Sequence, residues 1–321
     1  MSAEAGQGSA PKLSIIIVSY NTREMTLACL RSVFAETRDV PFEIIVVDNN
    51  SPDGSAQAIA EAFPNIRLMA ERDNLGFALG NNIAAREAKG EFLLLLNPDT
   101  VVLDRAIDRL MGFAAERPQA GIWGGRTVFA DGSLNPASCW QRITLWNLVC
   151  RASGLAAIFS GSEFFNPEAF GGWQRDSVRQ VDIVSGCFFL LRRELWERLG
   201  GFSPEFFMYG EEADLCLRAR AFGVKPLITP EATIVHYGGA SETVRADKTV
   251  RLLKAKVHLI RRHWSRAMSW FGVLLLAAWP LSRLIALSLL ARLRPTASRL
   301  ESLETWKKVW ASRNEWLRGY A

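Results

Sequence analysis

The sequence predicts an α/β protein: a mostly parallel central sheet flanked by helices, followed by a helical C-terminal extension. Three observations carry this reading. Strand-like apolar runs alternate with helix-length segments through the first hundred residues, a pattern that needs crossover connections. The runs are apolar at successive rather than alternate positions, as strands buried on both faces require. Beyond about residue 240 the pattern is helical and the charge changes sign. Residues 241–321 hold 16 Lys/Arg and 5 Asp/Glu, against 22 and 28 in residues 1–240.

The elements follow in order. LSIIIVS (Leu13–Ser19) is the first strand, and a helix is expected over Thr22–Ala35. FEIIVVD (Phe42–Asp48) is the second strand and runs into the turn-forming Asn49–Gly54. A helix over Ser55–Ala62, a short strand in NIRLMA and a helix over Gly76–Ala88 come next. EFLLLLN (Glu91–Asn97) is a fourth strand and leads directly into Pro98-Asp99. Farther on, strands are expected at Ile122–Phe129, Gly186–Leu191, Lys225–Ile228 and Thr233–His236, with helices at Arg193–Leu199 and Glu211–Phe222. Residues 1–12 read as a disordered tail, 13–240 as one α/β domain, and 241–321 as a basic, Trp-rich extension.

Composition narrows the function. With 49% apolar and 22% charged residues the chain can bury a sizeable core. Five cysteines without a CxxC pair argue against a disulfide scaffold or a zinc knuckle and suit a reducing compartment. The opening MSAEAGQGSAPK has no apolar core of a secretory signal, so a cytoplasmic protein is expected. The basicity belongs to one end, and that end also carries six of the eleven tryptophans. Basic residues, Trp and apolar runs together point to an anionic membrane surface rather than to nucleic acid. A soluble helical subdomain or homo-oligomer contact is the plainer alternative.

Ligands of open parallel sheets lie outside the carboxyl ends of the strands, and the polar residues cluster there. Asp99, just past a buried strand, could hold a divalent cation against a diphosphate; the alternative is an ordinary turn residue. Asp48 could accept hydrogen bonds from a base or ribose, or simply anchor its turn. Asn74-Leu75-Gly76 and Asn81-Asn82 place amides around a helix start, yet neither a dinucleotide fingerprint nor a P-loop spacing is present. Glu211, Glu212 and Asp214 open a helix behind an aromatic segment. One of them could be a general base, or all three could merely suit the helix dipole, with Asp214 and Arg218 as a surface pair. His236 ends a strand before Tyr237-Gly238-Gly239 and is either a structural group or a ligand.

The ordered series SIIIVSYN, VVDNNSPDGS, NLGFALGNN, LLLLNPDT, SGCFFLLRRE, FFMYGEEADLCLRA and VHYGGAS resembles family 2 inverting glycosyltransferases of GT-A fold. The likeness is to bacterial rhamnosyltransferase-like and galactofuranosyltransferase-like members, over residues 13–240. It implies a Rossmann-like sheet, a nucleoside-diphosphate sugar donor (dTDP-rhamnose or a UDP-sugar), Mn²⁺ or Mg²⁺, and a cell-surface glycan or lipid-linked acceptor. It further implies that Ser19, Tyr20, Asn21 and Asp48 line the nucleoside, with Asn74 and Gly76 beneath it. Asp99 matches the last acid of the family's metal motif, whose first acid is Asn97 here, and His236 matches a metal-ligating His of some members. Gly186 and Cys187 match an acceptor-side Gly-Ala element, with Cys in place of Ala. Glu211-Glu212 match the Glu-Asp pair containing the catalytic base, with Glu in place of Asp at 212. Trp140, Arg142, Trp173 and Gln174 are candidates for reading sugar hydroxyls. The rival enzyme reading, a sugar nucleotidyltransferase, lacks its Gly-rich loop in SYNTREM; a catalytically inactive carbohydrate-binding scaffold is the non-enzyme rival.

The tail has its own logic. Met268–Ser282 carries no formal charge, and Leu284–Ala291 extends the apolar run beyond Arg283. A helix over both would be about 36 Å long, enough to span a bilayer. Arg283 within it would cost about 2.5–3.5 kcal/mol on insertion scales, and Pro280 interrupts the ladder. A hairpin broken at Pro280 and lying in the cytoplasmic leaflet is therefore the expectation.

Overall fold

The computed structural model describes residues 10–238 and 245–320. In chain order the elements are β1 (Leu13–Ser19), α1 (Arg23–Glu36), β2 (Phe42–Asp48), α2 (Ser55–Ala62), β3 (Arg67–Ala70), α3 (Gly76–Glu87), β4 (Phe92–Leu96), β5 (Thr100–Val102), α4 (Ala106–Glu116), β6 (Ile122–Val128) and β7 (Cys139–Trp140). They continue with α5 (Leu145–Ser153), α6 (Leu155–Ile158), β8 (Arg179–Gln180), β9 (Ile183–Val184), β10 (Phe188–Arg192), α7 (Arg193–Leu199), α8 (Glu211–Arg220), β11 (Leu227–His236), α9 (Arg245–His263), α10 (Arg266–Leu293), α11 (Ala297–Ala311) and α12 (Arg313–Trp316).

Two compact units emerge. Among the described residues the first comprises 10–140, 174–207 and 211–238; the second comprises 141–173, 208–210 and 245–320. Of the expected tail, residues 1–9 lie outside the described residues, as does the expected boundary at 240.

In the first unit a nine-stranded sheet runs β3-β2-β1-β4-β10-β6-β11-β5, with β8 added beside β11. Strands β3, β2, β1 and β4 are parallel, and Leu13–Ser19 pairs residue for residue with Phe42–Asp48. Their carboxyl ends therefore align at Ser19, Asp48 and the Asn97–Asp99 turn. Every residue of β1 and β4 is buried, and burying each Leu, Ile or Val stabilises the fold by about 1.5–3 kcal/mol. Helices α1 and α4 contribute Leu30, Val33, Leu110 and Met111 to the same core.

The sheet is mixed beyond β4. Strand β10 runs antiparallel to both β4 and β6, with Phe188 opposite Leu96. Its beginning, not its end, thus lies at the carboxyl end of β4, which carries Gly186 and Cys187 to the strand-end cluster. The two strands expected at 225–228 and 233–236 are one strand, β11, whose pairing with β6 shifts register between Thr229 and Thr233. Strand β11 also pairs antiparallel with β5, setting His236 opposite Thr100.

The second unit is helical. On α9, Ala246, Val250, Leu253, Val257 and Ile260 recur every three or four residues and are buried, the stripe of a core-facing helix. They join Leu148, Leu276, Val309 and Trp316 in one core. Helix α5 opens with a capping box between Thr144 and Asn147. Buried Glu168 accepts from Arg151 Nε at 2.8 Å and from Lys256 Nζ. Helix α10 does not break at Pro280, contrary to the hairpin expectation. Leu276 and Pro280 are both buried, one turn apart. Leu276 and its neighbours Val273, Ala277 and Trp279 pack in the core of this unit, and that packing offsets a penalty of about 3 kcal/mol.

Candidate active site

The strand ends of the first unit bring three groups of residues together. The first forms around the Asn97–Asp99 turn. Asp99 and His236 are both buried, and His236 Nε2 lies 3.4 Å from Asp99 Oδ1 and 3.4 Å from Asn97 Nδ2. The backbone N–H of Gly238 donates to Asp99 Oδ2 at 3.0 Å, and Asn135 Nδ2 donates to the His236 carbonyl at 2.8 Å. Cys187 adjoins the imidazole, and its carbonyl accepts from Asn97 N at 3.1 Å. Burial disfavours charge on the imidazole, but Cys187 and Asp99 outweigh it and raise the ring to about 10. Burial likewise opposes the Asp99 carboxylate, yet the hydrogen bond and charge of His236 lower it on balance.

This group fits a hard divalent cation. No cluster of three or more His, Cys, Asp or Glu side chains able to hold a metal ion occurs among the described residues. Mg²⁺-like ions need only one or two protein ligands when phosphate oxygens and water complete the shell. Asp99 Oδ1 and His236 Nε2 would be that minimal pair, the imidazole giving up its proton to a bound cation, with the Asn97 amide beside them. The buried His236 Nδ1 has no hydrogen-bond partner among the described residues.

The second group joins β2 to the start of α3. Asp48 Oδ2 accepts from Ser51 N at 3.0 Å, the turn-anchor role. Its Oδ1, though buried, has no hydrogen-bond partner among the described residues, and neither has Asn49 Oδ1. Asn49 Nδ2 donates to the Gly76 carbonyl at 3.1 Å, and Asn74 Oδ1 accepts from Gly76 N at 2.9 Å. Gly76 has φ +75, and a Cβ there would lie 2.2 Å from the Phe207 carbonyl oxygen. Ser19 is different: its hydroxyl is buried among those of Thr26, at 2.9 Å, and Thr22, at 3.2 Å. Tyr20 is exposed, and Asn21 donates its backbone N–H to Ser51 Oγ.

The third group surrounds the start of α8. Phe77 N donates to the Phe207 carbonyl at 2.8 Å, tying α3 to the segment before Glu211. Asn82 clamps the same segment, donating to the Phe202 carbonyl at 2.8 Å and accepting from Phe202 N at 2.9 Å. Asn81 Nδ2 bonds the Phe77 carbonyl. These two amides therefore act within the protein and are not presented at the helix start as the spacing suggested. Asp214 is no surface residue: at 0% exposure it accepts from Ser203 Oγ at 2.7 Å and Arg218 Nε at 2.8 Å. Arg218 also holds the carbonyls of Leu199 and Gly201. Glu211 is buried and Glu212 only partly so, and the Oε2 atom of each carboxylate is shielded from solvent.

The acceptor-side candidates are placed less tightly. A Cβ at Gly186 would lie 3.0 Å from the Phe77 ring, so the Gly186-Cys187 step packs directly on α3. Trp140, on β7, pairs with Ile183 of β9, three residues before Gly186. Gln174 belongs to the first unit, whereas Arg142 and the buried Trp173 belong to the second.

Residues 14–200 match the profile described as Glycosyl transferase family 2. The chain belongs to that family. It is 32% identical over 248 residues to the O-antigen biosynthesis protein RfbC of Myxococcus xanthus, covering 74% of this chain and 18% of that protein. It is 30% identical over 239 residues to the N-acetylglucosaminyl-diphospho-decaprenol L-rhamnosyltransferase of Mycobacterium tuberculosis, covering 70% and 76% respectively. This chain thus spans under a fifth of the first relative and about three quarters of the second. The fold matches the mannosyltransferase PcManGT of Pyrobaculum calidifontis, solved with GDP-Man and Mn²⁺ (TM-score 0.60, 19% identity, 96% and 88% coverage). It also matches GalNAc-T7 solved with UDP, GalNAc and Mn²⁺ (TM-score 0.57, 14% identity, 97% and 58% coverage). The GT-A architecture is therefore shared, and the nucleotidyltransferase alternative is set aside.

Proposed function

We propose that this glycosyltransferase moves a sugar, with inversion, from a nucleoside-diphosphate donor to a hydroxyl of a lipid-linked or cell-surface glycan at the cytoplasmic face of the membrane. The observation that supports it best is the set at the strand ends: a buried Asp99–His236 pair beside Asn97, and Asp48 and Asn49 each with an unmatched oxygen. Those two oxygens suit donors on a base or ribose. The name of the mycobacterial relative, an L-rhamnosyltransferase, favours a donor such as dTDP-rhamnose over a UDP-sugar.

Asp99 and His236 would hold Mn²⁺ or Mg²⁺, which when bound supplies positive charge against the departing diphosphate. Glu212 takes the proton of the acceptor hydroxyl as the oxygen bonds to the anomeric carbon. The bond from that carbon to the diphosphate oxygen breaks in the same displacement, and no enzyme-bound sugar forms. Glu211, the more buried of the two, is the alternative base. Gly186, Cys187 and Trp140 line the acceptor side in this reading.

The test is release of nucleoside diphosphate from dTDP-rhamnose, UDP-sugars and GDP-sugars, with a polyprenyl-diphosphate-linked sugar as acceptor. One donor should be turned over, and chelator or Asp99→Ala should abolish turnover. Undiminished turnover of Asp99→Ala in saturating chelator would remove the metal from the account. Failure of every donor would favour the inactive scaffold.

A further inference from the structure

Helix α10 is apolar over most of its surface, yet only one of its sides is buried. Gly272, Leu276, Pro280 and Ala291 are buried, and Leu276 belongs to the core of its own unit. At Gly272 a Cβ would lie 2.6 Å from the Trp264 ring, so the helix is seated closely there. The opposite side carries Trp270, Leu274, Leu281, Ile285, Leu289 and Leu293, all exposed, from 37% at Leu281 to 78% at Leu293. Their spacings of four and seven put them along one stripe of a 3.6-residue helix. A continuous exposed apolar stripe of this length marks a contact surface.

The charges identify what covers it. The helix has no Asp or Glu; of its three cations, exposed Arg292 lies within the stripe and exposed Arg266 near its margin, whereas half-buried Arg283 lies on the other side. Arg294 and Arg299 follow directly, and residues 241–321 carry a net +11. A second copy seated on the stripe would set these cations against their own kind. An anionic bilayer would instead pair them with lipid headgroups while taking up the apolar stripe. Trp270 and Phe271, both exposed and packed edge to face, have the amphipathic or apolar rings suited to the headgroup boundary.

We infer that α10 docks the chain onto anionic phospholipid by its Trp270–Leu293 stripe, lying in the membrane plane rather than crossing it. By length and composition α10 could cross. Crossing would strip Leu276, Pro280 and Ala291 from the packing that buries them, whereas in-plane docking leaves that packing untouched. This deepens the membrane reading proposed above and rests on it.

The experiment is co-sedimentation of the full chain with vesicles, which needs neither donor nor acceptor and so stands or falls separately from transfer activity. Vesicles of phosphatidylcholine with one-third phosphatidylglycerol should bind the chain at least about tenfold more tightly than neutral vesicles at low salt. The preference should shrink as salt rises. Leu274→Glu with Ile285→Glu should abolish binding while circular dichroism stays unchanged. If that pair fails to fold, Trp270→Phe serves: brominated lipid should quench wild-type fluorescence measurably more than the variant's. Equal binding by the folded double variant, or equal quenching, would overturn the proposal. So would an absence of vesicle binding, including the case where light scattering finds a dimer that Leu274→Glu dissociates.

Discussion

Replacing Gly76 by Ala tests the link between the start of α3 and the segment before Glu211. Gly76 and Gly54 share a left-handed backbone, with φ +75 and +78, but their surroundings differ. A Cβ at Gly54 has nothing within 4 Å; one at Gly76 would lie 2.2 Å from the Phe207 carbonyl oxygen. The left-handed penalty, about 1–2 kcal/mol, is common to both. At Gly76 the clash must also displace the Phe77 N to Phe207 O bond of 2.8 Å, and the Asn49 bond to the Gly76 carbonyl of 3.1 Å. Each is worth about 0.5–1.5 kcal/mol. Gly54→Ala should therefore cost about 1–2 kcal/mol and Gly76→Ala about 2–5 kcal/mol. Calorimetric unfolding should show the gap as a further drop of several degrees, at about 2–4 °C per kcal/mol for a unit of this size. Nucleotide affinity should fall in Gly76→Ala and hold in Gly54→Ala. Equal midpoints and equal affinities in the two variants would show that the Phe207 contact does not set this turn.

Two further outcomes follow from the second unit. Burial raises the Glu168 carboxyl, but the charges of Arg151 and Lys256 outweigh it and hold it at about 2. Its folded value lies below its unfolded value, so its stabilisation is complete above about pH 4.5 and is lost as pH falls toward 2. Glu168→Gln leaves Lys256 buried without its counter-charge and should cost about 3–5 kcal/mol at neutral pH; the variant's unfolding midpoint should also depend less on pH across that acid window. Tyr320 donates its hydroxyl to the Met208 carbonyl, with its ring beside His258 and Lys254. Tyr320→Phe should speed amide exchange over residues 208–210 by about threefold to tenfold, and unchanged protection would show that the bond does not hold that segment.

Much of the first unit is legible in the sequence because fully buried strands write themselves as unbroken apolar runs. The polar residue that ends each run, Asp48 or Asn97, is then a strand-end residue by position alone. Strand direction is not written in composition, so the antiparallel setting of β10 had to come from the structure. The short β5, only Thr100–Val102, lacks a run long enough to detect, yet it is the partner that brings His236 to Asp99. Asn82 and Asp214 looked like exposed polar residues in the chain; tertiary contacts convert the first into a backbone clamp, and burial converts the second into an anchor for Arg218. Asn49 stood in the turn after β2 without an assigned role, and the only available signal was its place beside Asp48. Pro280 misled for a related reason: local propensity favours a break there, and the packing of the preceding turn overrides it.

In the proposed function a carboxylate at the start of α8 takes the acceptor proton while the Asp48 and Asp99 groups hold the donor. The most direct measurement is turnover of Glu212→Gln and Glu211→Gln, with donor binding followed in parallel by calorimetry. Loss of a general base lowers the rate by about 10²–10⁴-fold. Glu212→Gln should show that loss with donor affinity intact, because the amide keeps the size of the acid. Near-normal turnover in Glu212→Gln with collapse in Glu211→Gln would move the role to the buried neighbour. Near-normal turnover in both variants would contradict the account.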